Sequence, residues 1–384
     1  MTTPGYVLLD TTAALEQFVA RIRGDPLLAV DTEAASFHRY VDRVYLVQLS
    51  TRDATAIIDP LSAGDLAPFG VLLADPEIEK IFHDADYDLR TLDRDYAFRA
   101  RRLFDTRIAA QLLGEPAIGL AALLEKYQGV KVSKAYQRAD WSERPLSAGM
   151  LAYAADDTRH LPALRDALRS RLQSMGRLTW AEEEFVRLER LRWSGQGGDA
   201  EDAYLRIKGA KALPPRSLAA LRELVAWREA VAAQQDKATF RIIGNEPLVA
   251  VSQALPASLD ALRSIRALPQ TLARRYGADL IAAVARATAL RDHDLPRPKR
   301  APRFPRDPDF DQRVERLKVA RNAAAQRLGL DPGVLCGKST LEAVARDRPQ
   351  DLPGLAAIDD VRQWQVEVLG RDLLSALQAP TTTP

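Results

Sequence analysis

Apolar positions in the first third of the chain come in short runs. LLAVDTE (27–33), VYLVQLST (44–51) and TAIIDP (55–60) are rich in β-branched residues and separated by polar turns, which predicts three consecutive strands in a meander. Strand and helix then alternate. KIFHDA and RLFDT read as further strands, each followed by a stretch with helical spacing. LSAGMLAYAADDTRHLPALRDALRSRL (146–172) has the period of a long amphipathic helix, and Pro162 must kink or divide it, because proline lacks the amide hydrogen a helix needs. Together these predict an α/β domain, a mixed sheet flanked by helices, over residues 1–175.

From residue 176 onward no strand pattern recurs, and the chain becomes helical, rich in Ala, Leu and Arg, and punctuated by proline. Shifting the sequence by 93 positions aligns residues 228–265 with 321–358 without a gap, and 11 of the 38 pairs are identical. Arg228/Arg321, Gly244/Gly337 and Pro256/Pro349 stand in one register with the leucine pairs, which predicts a duplicated small helical domain. The copies are joined by LPRPKRAPRFPRDP (295–308), whose prolines cannot continue a helix and whose cations make it a stiff, basic linker. The expected domains are therefore 1–175, a helical connector 176–202, a first helical domain 203–292, the linker 293–310 and a divergent second copy 311–384.

Composition narrows the class. With 47% apolar and 28% charged residues, 384 residues can bury a substantial core. A single cysteine, Cys336, excludes an internal disulfide and a multi-cysteine zinc site. No stretch approaches the roughly 18 apolar residues of a membrane span, and the first residues lack a signal-peptide pattern, so a cytoplasmic protein without membrane contact is expected. The net charge of +2 conceals an asymmetry: residues 1–175 carry 21 Lys and Arg against 25 Asp and Glu, residues 176–384 carry 33 against 27. An acidic front half suits bound cations, and a basic rear half suits a polyanion.

The acids of the front half are the candidate chemistry. On a strand, side chains two apart share a face, so Asp31 and Glu33 emerge together and would repel unless a cation lay between them. HDADYDLRTL (83–92) clusters acids just after a strand, where sheet edges host ligands, but physics alone does not choose among Asp84, Asp86 and Asp88. In YAADDTRH (153–160), Tyr153 and Asp157 are four apart and share a helix face, with Asp156 turned away. Asp105, before a helical stretch, reads as an N-cap, and Tyr153 alone would be a boundary core tyrosine. Oxygen-only ligands suit hard cations such as Mg²⁺ or Mn²⁺.

Taken in order, D-x-E on a strand, H-x4-D at a strand-to-helix junction and Y-x3-D on a helix resemble the DEDDy family of 3′-to-5′ exonucleases, which have a ribonuclease H-like fold. The family spacing selects Asp31, Glu33, Asp88, Tyr153 and Asp157, with His83 opening the second motif. VQLS around Gln48, FDTRIAAQLLG and SKAYQRADWSERPL resemble the ribonuclease D branch; the last departs only in having Ala135 where that branch has serine. LRELVAWREAVAAQQDKATFRIIGNEPLVAVSQALPASLDALRSI resembles an HRDC domain, a helical nucleic-acid-binding module, and the repeat implies a second copy in which AWRE has become VARN.

The resemblance implies hydrolysis by a two-metal mechanism that uses two divalent cations, Mg²⁺ or Mn²⁺. Asp31 would bridge the ions, Glu33 and Asp157 would complete one site, Asp88 would reach the other largely through water, and Tyr153 would orient the attacking water. Gln48, His83, Lys134, Trp141 and Arg144 are implied as substrate-binding. RNA 3′ ends are the expected partners, tRNA precursors and structured RNA among them, acted on by a monomer. Single-stranded DNA in repair is the alternative substrate, and a non-catalytic nucleic-acid scaffold the alternative class, disfavoured because every ligand position is filled.

Overall fold

A computed structural model of the protein describes residues 5–195, 200–297 and 307–378. The front half is built on a six-stranded mixed sheet with strands in the order β1-β4-β3-β2-β5-β6: β1 (Val7–Leu9), β2 (Leu27–Ala34), β3 (Val44–Ser50), β4 (Thr55–Ile58), β5 (Glu79–Phe82) and β6 (Leu103–Asp105). Only β3 runs against the others; it pairs antiparallel with both β2 and β4. The meander β2-β3-β4 is as the apolar runs predict. β1 is new: three residues with two exposed carry no alternation to read.

Alternation along β3 and β4 divides the core into two layers. Leu46 and Ile57 pack under the helix Ala148–Arg159 with its Ala154 and Ala155, whereas Val47, Leu49, Ala56 and Ile58 face the larger cluster with Leu15, Phe18 and Leu72. In chain order the flanking helices are α1 (Thr12–Ile22), α2 (Ala67–Ala74), α3 (Asp86–Tyr96), α4 (Thr106–Leu113), α5 (Leu120–Gln128), α6 (Ala148–Arg159), α7 (Leu161–Ser174) and α8 (Leu178–Leu188). The 146–172 helix is divided at His160, and Pro162 sits in the first turn of α7, where its missing amide costs nothing. The first part of the segment 176–202 is helical and packs on the front half. α8 buries Trp180, Ala181 and Phe185 in the front-half core, and the link starts only beyond it.

The rear half is helical among the described residues. α9 (Pro215–Gln235), α10 (Thr239–Ile242), α11 (Asn245–Ala254), α12 (Leu259–Arg263) and α13 (Gln270–Thr288) form the first unit. α14 (Phe310–Leu328), α15 (Pro332–Leu335), α16 (Lys338–Asp347), α17 (Leu352–Ala356) and α18 (Gln363–Gln378) form the second. Both bounds of α10, α11 and α12 recur 93 residues later, and Leu255 and Arg348 close α11 and α16 in the same left-handed conformation. The repeat also runs past residue 265. Gly277 of α13 and Gly370 of α18 correspond, and a Cβ on either would stand 2.7 Å from a leucine methyl, of Leu259 or of Leu352. Of the basic linker, 298–306 lie outside the described residues.

The second unit is clamped to the front half. Trp364 stacks on Trp180 with ring centroids 5.1 Å apart, and its indole donates to Glu184 at 2.9 Å. Glu183 accepts the amides of Gln363 and Trp364 and so caps α18 from another domain. Gly114 meets the Gly329 backbone too closely for any side chain to intervene. Trp364→Ala removes this stack, and a loss of about 3–5 kcal/mol is expected for a large buried aromatic. Denaturant unfolding should then show residues 307–378 separating from the front half before the sheet melts; a single transition at the original midpoint would contradict the clamp.

Candidate functional site

Asp31 and Glu33 leave the end of β2 on the α6 face of the sheet, one pleat apart, just before the β2/β3 register shifts between Glu33 and Ala34. On α6, Tyr153 and Asp157 lie one turn apart above them. Carboxylate oxygens of Asp31, Glu33 and Asp157 come within 4.8 Å of one another, the one such group of three among the described residues. Asp88, in the first turn of α3, is buried beside this trio, and Thr32, which turns to the opposite side of β2, donates a hydrogen bond to it.

The geometry separates the three acids that the sequence left level. Asp84 pairs with Arg107 and Asp86 with Arg90, both at the surface, and only Asp88 turns inward. Likewise Asp156 pairs outward with Arg159, while Asp157 faces the trio. Asp105 is the N-cap the sequence indicated, accepting from the amides of Arg107 and Ile108 at 2.8 and 3.0 Å. It also accepts from Asp84 and Ala85, and thereby ties the turn that launches α3 and Asp88.

Electrostatically the site is incomplete as protein alone. Burial pushes the Asp31 carboxyl up to about 6, and burial together with the neighbouring acids pushes the Asp157 carboxyl up to about 8 and holds Glu33 and Asp88 well above the carboxylate range. Burial and the adjacent Asp157 also raise the Tyr153 phenol, so it stays protonated. Beneath Asp31, directly across on β3, lies Gln48, fully buried with neither amide oxygen nor nitrogen hydrogen-bonded. An all-oxygen donor set, mutual repulsion and an orphaned amide beside it fit a hard divalent cation and its water.

Of the residues implied as substrate-binding, Gln48 and Trp141 lie in the packed framework of the site. Both are almost wholly enclosed in the unliganded fold. Trp141 lies 6.1 Å from the Tyr153 ring, and Tyr136, missed in the sequence, lies 6.0 Å from it. Arg144 is likewise committed: it grips both Asp59 oxygens at 2.6 and 2.8 Å and donates to the Tyr45 and Trp141 carbonyls. His83 is half-buried, its Nδ1 at 2.9 Å from Thr106 Oγ1, and burial lowers it to about 4, so it is neutral. Lys134 is exposed. Thr32 went unnoticed because a threonine between two acids has no signature of its own.

Known proteins match both halves of the chain. Residues 6–173 match the family model of 3′-5′ exonucleases, and residues 217–284 and 310–377 each match that of the HRDC domain. The chain is 33% identical to a ribonuclease D of Gluconacetobacter diazotrophicus over 97% of its own length and 93% of the relative's. It is 30% identical to one of Pseudomonas paraeruginosa over 99% of both. Among solved structures, it matches Escherichia coli RNase D, described as an exoribonuclease involved in structured RNA processing, with TM-score 0.71 and 27% identity over 97% and 98% of the two chains.

Proposed function

The chain belongs to the ribonuclease D family of 3′-to-5′ exoribonucleases, and from that premise we propose that it trims the 3′ ends of tRNA precursors and other structured RNAs, releasing nucleoside 5′-monophosphates. Asp31, Glu33, Asp88 and Asp157 would hold two divalent cations, Mg²⁺ or Mn²⁺. The observation that carries this reading is the convergence of Asp31, Glu33 and Asp157 oxygens within 4.8 Å beneath the Tyr153 hydroxyl.

Bound cations would lower the pKa of a water and screen the phosphate charge that otherwise keeps a nucleophile away. The residues themselves do the rest. Asp31 sits between Glu33, Asp157 and Asp88 and acts electrostatically on all three, which suits it to a bridging position. Tyr153, held protonated, orients a water by hydrogen bonding and is not the base. Tyr136 and Trp141 fix its ring, so the hydroxyl keeps one direction. The two HRDC domains supply sites for the RNA body, and the enzyme is proposed to act as a monomer.

The test uses 3′- and 5′-labelled RNA and DNA oligomers with Mg²⁺ or Mn²⁺, wild type beside Tyr153→Phe. Removing the hydroxyl should slow hydrolysis about 10²-fold, as loss of one oriented polar group does, while Mg²⁺ still raises the melting temperature. Internal cleavage, preference for DNA, or full activity in the Phe variant would each overturn part of the reading.

A further inference from the structure

Two large apolar side chains meet in water at the seam between the exonuclease domain and the first HRDC domain. Phe37 is 47% exposed and Phe240 49%, with ring centroids 5.0 Å apart in an edge-on contact. The two rings leave apolar faces side by side in solvent. The Arg138 guanidinium lies 5.6 Å from the Phe37 centroid.

The seam beneath them is tied by polar contacts. The Ala238 amide donates to the His38 carbonyl at 3.2 Å, and Asp236 accepts from Arg39 and from the Tyr40 amide. Both loops that carry the platform also serve the active site. Phe37 stands four residues beyond Glu33, within about 14 Å along the chain, and Arg138 belongs to the loop that places Tyr136 and Trp141 against Tyr153. Charge favours a polyanion. Asp236 and Asp140 are engaged by Arg39, and Asp140 also by Ser142. Arg138 and, beside Phe240, Lys237 and Arg241 are exposed and have no carboxylate partner among the described residues.

We propose that Phe37 and Phe240, with Arg138, form a stacking platform for a base of the single-stranded RNA tail, a few nucleotides upstream of the scissile 3′ end. Ring faces bind bases of any sequence, and the flanking cations meet the backbone between them. The platform spans two domains, so the first HRDC domain sets how much single-stranded tail reaches the carboxylates. This rests on the exoribonuclease reading and adds to it the path of the substrate.

The test uses the full chain with Phe240→Ala, Phe240→Leu and Phe240→Trp. KM and kcat are measured on an RNA octamer and a dinucleotide. Octamers with hydrolysis-resistant 3′ linkages carry 2-aminopurine at successive positions, whose fluorescence is quenched on stacking. Wild type should quench one upstream position. Both the Ala and the Leu variants should lose that quenching and raise the octamer KM about tenfold, far more than the dinucleotide KM, and the Trp variant should restore both. If Leu, which keeps the apolar contact but has no ring face, matches wild type in quenching and KM, the pair is only a domain contact and the proposal falls. Quenching reports binding without hydrolysis, so an inactive wild type that still quenches would overturn the exoribonuclease reading and leave the platform standing. A protein ligand in place of RNA would appear as no quenching at any position.

Discussion

Asp31→Ala abolishes exonuclease activity, by at least about 10³-fold, since one preorganised electrostatic group alone is worth about 10²–10³, and the metal-free variant is no less stable than wild type. Both outcomes follow from the same geometry. Burial makes the ionised form of Asp31 costly in the fold, and its charge in turn raises Glu33, Asp88 and Asp157. Removing the carboxylate removes that repulsion along with the cation ligand. Asp88→Ala and Asp157→Ala should likewise be inactive. Asp84→Ala and Asp86→Ala should stay within a few-fold of wild type, because each loses only an exposed ion pair worth about 0–1 kcal/mol. Single-turnover rates on a labelled RNA, with melting curves for each variant, check the set. An active Asp88→Ala beside an inactive Asp84→Ala would show that the wrong acid of that cluster had been assigned.

The second large effect is that of the cation and of pH together. Chelation with EDTA should stop hydrolysis, and restoring Mg²⁺ should recover it. Asp31 titrates at about 6 and Asp157 at about 8 in the fold, against 3.8 for each in the unfolded chain. Between those values the native state holds more protons than the unfolded one, so metal-free stability falls as pH rises. The slope is about 1.4 kcal/mol per pH unit for each such proton. Below about pH 3 both groups are protonated in either state and the penalty is absent. Above pH 8 it is complete. Cations compete with those protons, so the melting-temperature gain from Mg²⁺ should be small at pH 5 and largest above pH 8, with activity rising over the same window. A gain from Mg²⁺ that is flat from pH 5 to 9 would mean that these carboxylates do not bind the ion.

Much of this was visible in one dimension. D-x-E on a strand puts two acids on one face whatever the rest of the chain does, and Y-x3-D does the same on a helix. What one dimension hides is where such side chains are packed. The DWSERPL stretch carries the residue types that contact nucleic acid, but Trp141 is enclosed and Arg144 is spent on Asp59, which only the packing of the 129–147 loop against β3 and β4 reveals. Gln48 looked like a polar contact and proved to be a buried amide under Asp31.

By itself the chain determined the meander, a break in the long helix beside Pro162, the helical repeat and the same-face pairs Asp31 with Glu33 and Tyr153 with Asp157, because these depend on periodicity, on proline and on spacing within one element. Only the tertiary structure decided which acid of 84, 86 and 88 turns inward, that Glu183 and Glu184 grip a helix some 180 residues away, and that Phe37 meets Phe240. Each of these depends on which distant groups compensate a charge or share a surface, and that is a property of the packed chain, not of any segment of it.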